Sequence, residues 1–190
     1  MKETISSQQL LDIANEFGTP VYVYHAETIT DQFQKLQSAF KGHPTRFFYA
    51  CKALTNIHIL KHLLQLGANL DCVSINEVKL GLHVGFQPSQ ILFTPNCVDF
   101  SEIKEAKELG VNINIDNISI LEQFGNTYGN TYPVCIRLNP HIEAGGNYKI
   151  STGHIDSKFG ISIHQKKEIL ATVTNKKRDQ LVPVNKKLPL

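Results

Sequence analysis

The sequence predicts an α/β fold built on a parallel β-sheet. Short apolar segments with the composition of strands alternate with segments that carry apolar residues on one helical face. The connections between them are short, and Gly67, Gly85 and Gly110 mark the ends of predicted helices. Such βα repeats produce parallel strands joined by right-handed crossovers. The alternation alone leaves a closed (β/α)₈ barrel and an open doubly wound sheet as alternatives.

Two elements precede the repeat. Residues 7–18 predict a short helix with a serine cap at Ser7, apolar residues on one face and Gly18 at its end. Thr19-Pro20 ends this helix, and Val-Tyr-Val-Tyr at 21–24 predicts a strand. Residues 26–40 predict a second helix with an apolar face.

The repeat itself predicts five strands, each but the last followed by a helix. The predicted strands are 47–51, 69–73, 91–93, 111–115 and 134–138, and the predicted helices are 57–66, 77–83, 100–109 and 118–124. A long connection at 133–160, rich in Gly, Asn, His and Ser, is expected to be functional or mobile. A last helix is predicted at 164–172, and the basic remainder with two prolines predicts little fixed structure.

Composition narrows the class of protein. With 42% hydrophobic and 19% charged residues the chain is predicted to be globular, and its net charge of +2 gives no reason to expect nucleic acid or a membrane as partner. Four dispersed cysteines predict buried free thiols in a reducing compartment. The start of the chain lacks an apolar signal segment, and no apolar run approaches membrane-spanning length. We therefore expect a cytoplasmic protein.

A lysine at the end of the first repeat strand is the leading catalytic candidate. The run Phe-Phe-Tyr-Ala-Cys predicts a strand buried on both faces, and Lys52 follows it. Because an unpaired ammonium is costly inside a sheet, Lys52 is expected at the carboxyl end of the strand, facing a site. A partly desolvated lysine there could act as a nucleophile toward an aldehyde, whereas a lysine that only reaches solvent is the alternative.

Two motifs carry a resemblance to a known family. Tyr-Ala-Cys-Lys-Ala around Lys52, followed by Leu-Asp-Cys-Val-Ser-Ile-Asn-Glu from Leu70, resembles the lysine region of the fold-type III pyridoxal-phosphate (PLP) decarboxylases. Thr-Gly-His-Ile-Asp-Ser-Lys-Phe-Gly, ending at Gly160, is similar to a segment of the diaminopimelate decarboxylases within that group. The resemblance implies a (β/α)₈ barrel and makes Lys52 the lysine that carries PLP.

The resemblance also implies roles for residues near other strand ends. Asp71, Asn96 and Arg137 would contribute to cofactor binding. The alternatives are a helix cap for Asp71, a turn residue for Asn96 and a structural ion pair for Arg137. Ser74 and Glu77 fit a capping box at least as well as a substrate contact.

The long connection contributes weaker candidates for substrate binding. His154, Ser157 and Lys158 could reach substrate or phosphate, although a surface position for His154 and an ion pair for Lys158 are alternatives. The remaining histidines show metal-like spacing only at His58 and His62, which we interpret as rim or surface residues without a metal.

The resemblance covers only the first half of the family's sequence pattern. The phosphate-binding glycine loop, the partner of the pyridine nitrogen and the C-terminal β domain have no counterpart here, so the resemblance implies about five βα units of a partial barrel. The predicted division is an N-terminal helix and lead-in strand at 1–24, a partial barrel at 25–173 and a basic, disordered tail at 174–190.

The implied function is PLP-dependent decarboxylation of meso-2,6-diaminopimelate to L-lysine, in lysine biosynthesis. The chain is expected to be truncated, and its own activity is open. One alternative is another fold-type III amino-acid decarboxylase, of the arginine or ornithine type. A second is a non-catalytic fragment that pairs with an intact homologue. The family's homodimer is expected, although much of its interface would be missing here.

Overall fold

The computed structural model describes residues 5–142 and 159–175. Two helices open the chain, α1 at Ser7–Phe17 and α2 at Ala26–Ala39, as predicted. The cap of α1 is Ser6 rather than Ser7. The Ser6 Oγ accepts a hydrogen bond from the Gln9 amide at 3.2 Å, and the Gln9 side chain accepts one from the Ser6 amide at 2.8 Å. This reciprocal capping box sets the start of α1.

The strand predicted at 21–24 is wrong. Its residues join no sheet in the described part of the chain, and Tyr22 is 89% exposed. A run of β-branched and aromatic residues becomes a strand only where another backbone offers hydrogen bonds, and the described residues offer none to this segment.

The predicted βα alternation is confirmed. Five parallel strands form one sheet in chain order. They are β1 at Phe48–Ala50, β2 at Asn69–Cys72, β3 at Ile91–Phe93, β4 at Asn112–Ile115 and β5 at Cys135–Ile136. Between them lie α3 at Ile57–Gln65, α4 at Ile75–Val84, α5 at Phe100–Glu108 and α6 at Ile118–Tyr128. Parallel neighbours in chain order place every carboxyl end of a strand at the same edge.

The predicted strand at 134–138 is divided at Arg137. Its second part is β6 at Leu138–Asn139, which pairs in parallel with β7 at Ile161–Ser162, and α7 follows at Lys166–Asn175. The Arg137 amide donates to the Ile115 carbonyl at 2.8 Å, and the Ile161 amide donates to the Arg137 carbonyl at the same distance. Arg137 therefore connects the two sheets, and the arc of strands extends one βα unit beyond the predicted five.

The short strand β7 was not predicted, because two residues carry no periodic signal. Gly160 brings it close to its neighbour. Its φ is +80°, and a Cβ there would lie 3.0 Å from the carbonyl oxygen of Arg137 and the amide nitrogen of Asn139. A glycine at 160 is therefore required both by the backbone conformation and by the close approach of the two strands.

The core lies between the sheet and the helices that cover one of its faces. Leu70, Ile91 and Ile113 from the strands are fully buried, with Leu60 and Val78 from the helices. Strand β1 differs, since all three of its residues are only half-buried. The prediction that it is buried on both faces is wrong: β1 is the edge strand of the sheet, and the described residues cover its side chains only in part. No helix in the described ranges is long and apolar enough to cross a lipid bilayer.

Candidate active site

Lys52 lies at the carboxyl edge of the sheet, as predicted. A single turn of 3-10 helix, Cys51–Ala53, follows β1 directly and carries it. The side chain is exposed, so the partial desolvation expected from the sequence is not seen. Within residues 5–142 and 159–175, Lys52 has no ion-pair or hydrogen-bond partner. No side chain of the described residues therefore occupies its amine.

Asp71 lies on the neighbouring strand, opposite Ala50 in the β1–β2 register. The half-buried carboxylate accepts a hydrogen bond of 2.6 Å from Oγ1 of Thr94. Thr94 comes directly after β3, and its own amide donates to the Cys72 carbonyl at 2.7 Å. Two hydrogen bonds thus fix Thr94, and through it the Asp71 carboxylate, one strand away from the turn that carries Lys52.

The capping interpretation of Ser74 and Glu77 is confirmed, with one difference. The Ser74 Oγ accepts from the Glu77 amide at 3.3 Å and caps α4. The Glu77 carboxylate accepts from the amide of Val73 at 2.7 Å, one residue before the cap, rather than from Ser74 itself. Glu77 is thereby turned back over the end of β2.

Asn96 and Arg137 also follow strand ends at this edge. Asn96 is half-buried and its Oδ1 accepts a hydrogen bond from the Cys97 thiol at 3.1 Å, which leaves its amide hydrogens to donate elsewhere. The Arg137 guanidinium lies 4.8 Å from the centre of the Phe159 ring, a cation–π contact. The ion pair weighed for Arg137 is not among the described contacts.

Three predicted residues cannot be located. His154, Ser157 and Lys158 lie outside the described residues. Of the two histidines with metal-like spacing, His62 forms a hydrogen bond of 2.8 Å with Oγ1 of Thr30 and so links α3 to α2. A cleft of about 280 Å³ lies at the opposite, amino edge of the sheet, between α2 and β1, and includes none of the candidates.

Three features of the carboxyl edge were missed. Thr94 is one, because its role depends on a contact between strands. Asp116 is another: it is 9% exposed after β4, accepts from Asn117 Nδ2 at 3.0 Å, and ends an apolar strand much as Asp71 nearly ends β2. The sequence pattern that could have identified Asp116 is the one it shares with Asp71, a carboxylate at the end of an apolar strand.

The third missed feature is a thiol pair. Cys51, directly after β1, and Cys72, the last residue of β2, are both fully buried. A hydrogen bond from Cys72 lowers the pKa of the Cys51 thiol, and the same bond, with burial, raises the pKa of Cys72. The two thiols therefore differ in acidity, and Cys51 is the residue directly before Lys52 in the chain.

The chain is similar to known pyridoxal-dependent decarboxylases. Residues 26–185 match the family model described as "Pyridoxal-dependent decarboxylase, pyridoxal binding domain". The chain is 35% identical over 167 residues to the diaminopimelate decarboxylase of Methanothermobacter thermautotrophicus, covering 87% of this chain and 39% of that protein. Against the Staphylococcus aureus diaminopimelate decarboxylase the identity is 35% over 166 residues, with 84% and 39% covered.

Solved structures agree in fold. The Helicobacter pylori diaminopimelate decarboxylase, determined in complex with L-lysine, superposes with a TM-score of 0.77 at 32% identity, covering 84% of this chain and 42% of that one. A lysine/ornithine decarboxylase from Vibrio vulnificus, at 21% identity and a TM-score of 0.72, supports the fold alone. The described sheet and helices thus match part of the barrel fold of these proteins. The chain spans about two fifths of the length of the curated relatives it matches.

Proposed function

The chain belongs to the pyridoxal-dependent decarboxylase family, through its pyridoxal-binding domain, and from this premise we propose that it is the cofactor-carrying portion of a diaminopimelate decarboxylase. The proposed reaction is the PLP-dependent conversion of meso-2,6-diaminopimelate to L-lysine and CO₂. The proposed cellular site is the cytoplasm, in keeping with free thiols at all four cysteines.

The observation that carries the proposal is the position of Lys52. Its amine is exposed, lies at the carboxyl edge of a parallel α/β barrel and has no partner in the described part of the chain. A cofactor bearing an aldehyde needs an accessible amine, and catalytic groups of such barrels lie at this edge. The residues present therefore fit PLP, with Lys52 as its covalent attachment point.

Asp71 is proposed to orient the lysine. A carboxylate near an amine favours its protonated form, so Asp71 would help the Lys52 amine to hold a proton. The hydrogen bond from Thr94 restricts the carboxylate to one geometry. Asp71 makes no ion pair with Lys52 among the described contacts, so this role would require the lysine side chain to turn toward the carboxylate.

Asn96 and Arg137 are proposed to add contacts to the cofactor. The Asn96 amide hydrogens remain able to donate, and a guanidinium held against the Phe159 ring keeps N–H donors at its edges for an anion. When bound, PLP supplies the electron sink that stabilises the carbanion left by loss of CO₂. His154, Ser157 and Lys158 remain proposed substrate contacts, and the proposed assembly is the family's homodimer.

The experiment that tests the function measures product. The chain is incubated with PLP and, in separate reactions, with meso-diaminopimelate, ornithine or arginine, and the products are identified by mass spectrometry. Formation of L-lysine that is lost in Lys52→Ala supports the proposal. Formation of putrescine or agmatine instead would overturn the substrate in favour of the ornithine or arginine type. Product that persists in Lys52→Ala would overturn the role of the lysine.

A further inference from the structure

We propose that Cys51, Cys72 and Glu77 form a binding site for one thiophilic divalent cation, zinc being the physiological example. The two sulfur atoms and a carboxylate oxygen of these residues all lie within 4.8 Å of one another. The inference concerns these three side chains only, and it does not depend on the proposed decarboxylase function.

The fold assembles the three ligands from separate elements. Ala50 and Asp71 are partners in the parallel register, so the residues that follow them, Cys51 and Cys72, are neighbours at the carboxyl ends of β1 and β2. Glu77 belongs to the first turn of α4, and its hydrogen bond to the Val73 amide turns the carboxylate back toward those ends. The three positions are thus fixed by backbone pairing and by a helix start rather than by a mobile loop.

The ligand set selects a soft or borderline metal. Thiolates bind zinc and other thiophilic ions, whereas magnesium and calcium require oxygen ligands. Two thiolates and one carboxylate leave a tetrahedral ion one position for water or another ligand. With zinc–sulfur bonds of about 2.3 Å, tetrahedral geometry requires sulfurs roughly 3.8 Å apart, so the observed cluster needs at most a small contraction.

The Glu77 carboxylate and the two cysteine sulfurs keep lone pairs that can coordinate a cation. Only one oxygen of the Glu77 carboxylate is engaged by the Val73 amide, and a carboxylate offers about four lone-pair sites. The two thiols would release two protons as the cation enters, and the resulting pair of thiolates and carboxylate would leave one net negative charge. Glu77 is half-buried and Lys52, next to Cys51, is exposed, so the cluster lies close to the surface of the carboxyl edge.

A bound cation would affect the neighbouring turn. Cys51 is the first residue of the 3-10 turn that carries Lys52, and Cys72 follows Asp71 in the chain. Tying the two strand ends to α4 would hold that turn in a single position. The competing account is that the two thiols only fill space in the core, as buried cysteines commonly do.

The test titrates the full, reduced chain with Co²⁺, and with Cd²⁺ as a second probe, and records the thiolate-to-metal charge-transfer absorption. We expect saturation at one cation per chain. Cys51→Ala or Cys72→Ala should abolish the band, and the matched controls Cys97→Ala and Cys135→Ala should leave it unchanged. Glu77→Gln keeps an oxygen for the Val73 amide but removes the charge, and it should weaken binding by about tenfold or more.

A second measurement covers the case in which a cysteine variant does not fold. In the unaltered chain, alkylation is followed long enough for the buried Cys51 and Cys72 to react without metal. Bound Cd²⁺ should slow their alkylation, as read from their peptides, while the exposed Cys97 reacts at the same rate with and without the cation. Absence of a saturable band and of protection would overturn the proposal and leave the thiols as core packing. A band that survives in both Cys51→Ala and Cys72→Ala would overturn it as well.

Discussion

At the scale of single residues, Thr94 positions the Asp71 carboxylate at the carboxyl edge of the sheet. Its hydroxyl donates to the Asp71 carboxylate at 2.6 Å while its amide is bound to the neighbouring strand. Hydrogen bonds to a charged group are short and comparatively strong. We therefore assign to Thr94 a positioning role that acts through Asp71.

The variant Thr94→Val tests this role, because it removes the hydroxyl and keeps the shape. The half-buried Asp71 carboxylate would lose a donor, at a cost of about 1–3 kcal/mol in the free energy of unfolding. Denaturant unfolding measures that cost, and PLP titration should show weaker binding. Thr127→Val is the control: its hydroxyl donates to the Gln123 carbonyl on the exposed side of α6, and the change should stay within about 0.5 kcal/mol. Equal effects in the two variants would contradict the role of Thr94.

The sequence located individual candidates at this scale but not the contacts between them. Lys52 was predicted at a strand end because an unpaired charge is costly inside a sheet, and Asp71 was selected by its place near the end of an apolar strand and by the resemblance. Thr94 and the Cys51–Cys72 pair were missed, since each depends on which strand lies beside which and in what register. The sequence around Lys52 does not reveal that its side chain is exposed, because that depends on β1 being the edge strand of the sheet.

At the scale of elements, the starts of the helices are set by side-chain caps in the turns that leave the carboxyl edge. Asn56, Ser74, Asp99 and Asn117 cap α3, α4, α5 and α6 in turn. Each satisfies amide groups that have no partner inside the helix. The caps therefore fix where each helix begins, and so the length of the turns that hold the candidate site.

Ser74→Ala should destabilise the chain by about 1 kcal/mol, because the amide of Glu77 loses its acceptor. Thermal or denaturant unfolding measures the loss. Ser38→Ala, at an exposed position near the end of α2, is the matched control and should be neutral or slightly stabilising, since alanine is the better helix former. A Ser74 variant as stable as the parent chain would show that the cap does not determine α4.

Helices and strands with a clear hydrophobic pattern were predicted from the sequence, and the elements without one were not. The strand at Ile91–Phe93 was predicted to the residue, and α2 and α5 to within one residue at their ends. The division of the strand at Arg137 was not, because it arises where the backbone changes partner from β4 to β7. The exposed segment at 21–24 has strand composition but no pairing partner in the described residues.

At the scale of the whole molecule, the described chain carries apolar surface that its own core does not cover. Leu11 and Phe17 of α1 are 58% and 69% exposed, and no residue of that helix is buried. The edge strand β1 has one flank without a partner among the described residues. Exposed apolar faces and open strand edges favour association with other chains.

The chain expressed by itself should therefore bind a hydrophobic dye such as ANS and self-associate as its concentration rises. Dye fluorescence and light scattering measure the two effects. Leu11→Gln combined with Phe17→Gln should reduce both, because it removes the two most exposed large apolar side chains of α1. Gln8→Ala with Gln34→Ala, at exposed polar positions, serves as the control. A parent chain that stays monomeric and binds no dye would contradict this expectation.

The central claim, that Lys52 carries PLP, is tested most directly by borohydride trapping. The chain is incubated with PLP, reduced and digested, and the phosphopyridoxyl mass is located among its peptides. The account predicts saturable labelling of Lys52 that disappears in Lys52→Ala and is unchanged in Lys61→Ala, an exposed lysine of α3. Labelling spread over surface lysines, with no loss in Lys52→Ala, would contradict it.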